Sequence, residues 1–147
     1  MAKSDEMKQK EKFLEQYKIS LLEVEYLSKE ISALENDTFL GGMSDGMPKG
    51  NKQGDLLDLI QKKNERKEKL EHKIYSEYYK QMKIKDTIET LKDVNQREVL
   101  SDIYIYSMTF EEMMDKNGKS RGTLNNLRNK ALENLEIPAE DFLLVSC

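Results

Sequence analysis

The chain has no tryptophan, four phenylalanines and a single cysteine in 147 residues. So few bulky aromatics argue against a large globular core. With one cysteine, Cys147 at the last residue, no internal disulfide can form, and Cys147 does not stand in a prenylation box. The opening MAKSDEMKQKEKF lacks the apolar run of a signal peptide, and no segment approaches membrane-spanning length. A cytoplasmic protein with no membrane partner is the expectation. No Ser-His-Asp or Cys-His set is present, and the acidic residues converge nowhere beyond helix pairing, so neither an enzyme nor a cofactor is expected. His72 stands alone among Lys and Glu with no metal-spaced partner and reads as a solvated residue.

Proline occurs twice and glycine seven times, whereas charged residues make up 35% of the chain at a formal net charge of −4. That balance suits long, solvated helices. The length allows one ordinary domain, or a small domain with an elongated helical part; the composition favours the second.

The periodicity agrees. From about Asp5 to Asn36, the residues Leu14, Tyr17, Leu21, Val24, Leu27, Ile31 and Leu34 recur at spacings of 3 and 4. This predicts one apolar stripe on a helix roughly 45 Å long at 1.5 Å per residue. Residues 37–54 break the pattern with glycines and a proline. The Walker spacing of a phosphate loop is missing there and no strand precedes it, so a connecting loop is expected. A second helix is predicted from Asp55 to about Lys92, with Leu56, Leu59 and Ile60 opening its apolar side. QKKNERKEK then interrupts that side, and Leu70, Ile74, Tyr78 and Met82 resume it. Tyr75, Tyr78 and Tyr79 read as core or interface, with base stacking as the rival role. Whether the two stripes meet within one chain or between two is left open.

A compact unit follows. Ile84, Ile88 and Leu91 precede a break at Asp93-Val94, and Asn95 with Glu98 offers a helix cap before Val99, Leu100, Ile103, Tyr104 and Tyr106. The segment TFEEMMDKNGKSRGTLNNLRNKALENL, Thr109 to Leu135, then reads as two short helices joined by a tight turn. Thr109 and Glu112 have capping-box spacing, Gly118 sits where the chain must reverse, and Ser120 can cap the second helix. Leu124, Leu127, Ala131 and Leu135 mark the buried face of that helix. From Lys116 to Lys130 there are five basic residues and no Asp or Glu, a local basic island in an acidic chain. This is the layout of a helix-turn-helix, whose second helix enters the DNA major groove. The expected fold is therefore all-α. A long N-terminal helical hairpin or coiled coil (1–83) precedes a small helix-turn-helix domain (84–137) and a short apolar tail (138–147) containing Phe142-Leu143-Leu144-Val145.

IETLKDVNQREVLSDIYIYSMTFEEMMDKNGKSRGTLNNLRNKALENL resembles the fourth conserved region of bacterial sigma factors, which reads the −35 promoter element. It is closer to phage-encoded regulators of the ArpU/RinA late-transcription type. DIYIYSMTFEEM, GKS and the terminal KAL carry the resemblance most sharply. Met114 stands where that pattern has a small residue, Asn117 and Lys119 where it has apolar ones, and Ile103 where it often has Arg. The resemblance implies a phage or prophage regulator that binds double-stranded promoter DNA and activates late genes with host RNA polymerase, its helical N-terminal half serving self-association or polymerase contact. It also implies that Arg121, Gly122 and Asn126 meet bases while Asn125 and Lys130 meet the backbone.

Read from the helix itself, Gly122, Asn126 and Asn129 oppose the apolar face, with Thr123, Asn125 and Lys130 on the flanks. Asn suits a bidentate contact to adenine. Lys116, Lys119 and the amides behind Ser120 are phosphate candidates. Arg128, beside the core face, reads as packing or an ion pair. Two other functions share this architecture: a small terminase subunit starting DNA packaging, and a helical adaptor that does not bind DNA.

Overall fold

The computed structural model describes residues 5–36 and 52–138. Most of the Gly-rich segment and the apolar tail from Phe142 to Val145 lie outside them. The described chain is all-helical, without strands. Helix α1 spans Asp5–Glu35 and α2 Lys52–Glu89; α3 is Val94–Leu100, continued by a π-helical stretch at Ser101–Ile105; α4 is Phe110–Asn117 and α5 Arg121–Asn134. Helix α2 ends three residues earlier than the periodicity suggests. Its last turn tightens, with the Thr90 and Leu91 amides donating to the carbonyls of Thr87 and Ile88 three residues back.

Two compact units divide the chain, and α1 and α2 each run through both. In the unit made of 23–36 and 52–76, Leu27 and Leu70 are buried. Arg66 pairs with Glu30 at 3.1 Å and Lys67 with Glu35 at 3.0 Å. The two helices thus meet within the chain here, and the polar middle of α2 supplies the basic halves of these pairs. Solvent screens exposed pairs of this kind, so the two leucines matter more than the charges.

The other unit, 5–22 with 77–138, holds the main core. Phe13, Leu14 and Tyr17 of α1 and Ile84 and Ile88 of α2 close over Val99, Leu100, Tyr104, Met113, Leu124, Ala131, Leu132 and Leu135. The helix-turn-helix therefore shares its core with the first part of α1, a wider foundation than a boundary at residue 84 implies.

Three expectations need correction. Leu21 is 41% exposed, and Ser20 takes the inward place. The Ser20 hydroxyl donates to the Glu77 carbonyl at 3.1 Å and accepts from the Gln81 amide at 3.1 Å, a polar contact that leucine cannot make. On α2, Tyr78 and Met82 are exposed, as are Tyr75 and Tyr79, while Glu77, Lys80 and Gln81 are buried. Lys80 and Glu77 compensate one another at 2.8 Å, which makes their burial tolerable. The tyrosines are therefore surface residues, not core. Finally, Asp93, not Asn95, caps α3: its carboxylate accepts from the Asn95 and Gln96 amides at 2.8 and 3.3 Å.

Candidate nucleic-acid interface

Local chemistry builds the two-helix element around α4 and α5. The Thr109 hydroxyl accepts from the Glu112 amide at 3.1 Å, while the Glu112 carboxylate accepts from the Thr109 amide at 2.9 Å. Both bonds of the capping box are formed. That backbone hydrogen bond holds the Glu112 carboxyl below its ordinary value of 4.5. Gly118 ends α4 at φ 67°, ψ 18°, the left-handed conformation that the reversal requires. Ser120 then caps α5, its hydroxyl accepting from the Thr123 amide at 3.2 Å.

With Leu124, Ala131 and Leu135 fully buried and Leu127 partly so, α5 is oriented as its sequence implies. Arg121, Gly122, Thr123, Asn125, Asn126 and Lys130 are exposed; Asn129 and Lys119 are half-buried. Leu132 joins the core as well, between the positions the stripe marks. Met114 and Ile103, two departures from the sigma-like pattern, pack partly buried against that core.

The basic island is not uniform. Lys116 donates to Asp102 Oδ1 at 2.9 Å, a carboxylate only 1% exposed. That hydrogen bond raises the Lys116 ammonium above the ordinary lysine value. Arg128 pairs with Glu11 of α1 at 2.9 Å, both side chains partly buried, the second of the two roles (packing or an ion pair) its place beside the core face suggests. Two of the five cations are thus matched by carboxylates. Lys119, Arg121 and Lys130 form no such pair among the described residues. Arg121 instead lies over the Phe110 ring, 5.3 Å from its centroid. Of the four asparagines in and beside this helix face, Asn134 donates to the buried Gln96 at 3.1 Å and serves packing.

The far end of α5 is held too. The Lys10 ammonium donates to the Leu132 and Glu133 carbonyls at 2.9 and 3.2 Å. A cation here satisfies carbonyls that the helix cannot and complements its negative end. Asp102 and Phe110 are contributors that sequence reasoning did not single out. Asp102 lies fourteen residues before its partner, beyond any helical spacing.

Among the described residues, no group of three or more His, Cys, Asp or Glu is placed to hold a metal ion. His72 is exposed, 4.0 Å from Glu68. No described helix is long and apolar enough to cross a membrane. No curated protein and no solved structure matches the chain, but a family model does. It covers residues 41–136, which include α2 through α5. The chain belongs to the family described as "Protein of unknown function (DUF1492)".

Proposed function

We propose that this protein is a phage or prophage transcription regulator that binds promoter DNA through α4 and α5 in the manner of sigma region 4. The observation that carries the reading is the capped α4–turn–α5 element with an exposed face of Arg121, Gly122, Thr123, Asn125 and Asn126. Such a face is built of groups that donate to and accept from base edges, and the Ser120-capped helix start suits a phosphate. Lys119 and Lys130, which form no ion pair among the described residues, supply positive charge beside it.

One helix-turn-helix buries little DNA surface, so a second contact should raise affinity. Exposed Ile19 and Leu22 of α1 line a groove of about 460 Å³ with Ile103 and Met108. In this reading the groove serves self-association or contact with host RNA polymerase, and activation comes by recruitment in the cytoplasm. The Asp102–Lys116 and Glu11–Arg128 pairs favour a second reading, an adaptor without DNA binding, because they remove two cations from the patch.

Selection of bound sequences from a random duplex pool, followed by salt-titrated binding of wild type and Asn126→Ala, tests the proposal. An enriched motif whose preference relaxes in the variant, with affinity falling steeply as salt rises, supports a sequence-reading regulator. Weak, uniform binding without enrichment favours a packaging role or recognition only beside polymerase. No binding even at low salt leaves the adaptor.

A further inference from the structure

Phe110 and Arg121 occupy equivalent places in successive helices: each is the first helical residue after its cap, Thr109 and Ser120 respectively. The turn brings them together, with the guanidinium 5.3 Å from the ring centroid. Phe110 is partly buried against the core, which anchors the ring, while Arg121 is exposed. The other strongly basic side chain of α5, Arg128, is held by a carboxylate, and so is Lys116. The difference matters chemically. A carboxylate partner occupies the N–H edge of a guanidinium and compensates its charge. A cation–π contact with a ring brings no opposing charge and leaves guanidinium N–H donors available to a ligand.

We propose that Phe110 is a positioning residue for Arg121, holding its planar fork at the leading end of α5 ready for a planar pair of acceptors. This rests on the DNA-binding reading. The acceptor pair is the O6/N7 edge of a guanine or two oxygens of one phosphate. Pre-orientation removes part of the rotamer entropy that a free arginine loses on binding. The site therefore requires a guanidinium and not merely a positive charge.

The test uses the full chain and the duplexes recovered by selection, or random duplex if none is enriched. Wild type is compared with Phe110→Leu, Phe110→Met, Phe110→Tyr, Arg121→Lys and the Phe110→Leu/Arg121→Lys double variant, each checked for an unchanged thermal midpoint. Using two apolar replacements guards against one that fails to fold. The expected result is about a tenfold loss of affinity for Phe110→Leu, Phe110→Met and Arg121→Lys alike. Phe110→Tyr should retain affinity, and the double variant should bind no more weakly than either single one, as for two residues acting as one unit. Loss confined to one base pair identifies a guanine edge; equal loss across all sequences identifies phosphate.

Wild-type affinity in Phe110→Leu beside a loss in Arg121→Lys overturns the inference, as do additive losses or a Phe110→Tyr variant as weak as Phe110→Leu. Failure of the wild type to bind any duplex would instead defeat the functional reading, and the acceptor with it. The two failures are distinguishable, because the ring-current shift of the Arg121 Nε–H in the free protein, lost in Phe110→Leu, reports the contact with the ring without DNA.

Discussion

The Lys116 ammonium lies 2.9 Å from Asp102 Oδ1, joining the end of α4 to the π-helical stretch Ser101–Ile105. Asp102 is 1% exposed and its other carboxylate oxygen has no partner among the described residues, so the Lys116 ammonium compensates this buried charge. Lys116→Met should lower the midpoint of urea unfolding, and Lys116→Arg should restore most of it. The raised ammonium value places this contribution fully on the low-pH side of 10.5, to be lost only as pH rises through the raised value. If Lys116 acted mainly on phosphate, Lys116→Met would leave the urea midpoint unchanged and make the salt slope shallower.

The capping box at Thr109 has its own pH signature. Glu112 is depressed in the folded chain, so its contribution is complete above the ordinary value of 4.5 and disappears as pH falls through the depressed one. A Glu112→Gln variant should therefore show a flatter acid limb in a series of thermal midpoints. Thr109→Ala removes the partner hydroxyl and should cost about 1 kcal/mol at neutral pH.

Two glycines separate backbone need from functional allowance. Gly118 has φ 67°, and Gly118→Ala should destabilise by about 1 kcal/mol although nothing lies within 4 Å of the added carbon. At Gly122 an added Cβ meets only the Ser120 hydroxyl, at 4.0 Å. Gly122→Ala should raise stability by up to about 1 kcal/mol through helix propensity. If DNA approaches that backbone, the same substitution weakens binding. Equal or better DNA affinity in the stabilised variant would show that the face stays clear of the duplex at this point.

Arg128 and Asn126 should divide stability from recognition. Arg128→Met breaks the partly buried pair with Glu11 and should lower the urea midpoint without altering base preference. Asn126, exposed on the opposite face, should do the reverse, since Asn126→Ala replaces a poor helix former on the surface. A base-preference change in Arg128→Met at unchanged stability would reverse these roles.

What could be read along the chain was what neighbours within four residues decide. The Thr109–Glu112 box, the Gly118 reversal, the Ser120 cap and the buried face through Leu124, Ala131 and Leu135 all depend on short-range hydrogen bonds or helical period. So did the two long helices, although their stripes were misread by one position where polar residues do the packing. Hydrophobic period cannot register that Ser20 faces inward to bond Glu77 and Gln81 while Leu21 points to solvent. Only the tertiary structure decided which cations remain free. Lys116 meets Asp102 across fourteen positions and Arg128 meets Glu11 across 117, separations that leave no periodic trace. The amino-acid sequence alone determined the helices, the caps of α4 and α5 and the polar face of α5. Packing of α1 and of the π-helical stretch against them determined which charges on that unit are matched inside the protein, because those pairs join residues far apart in the chain.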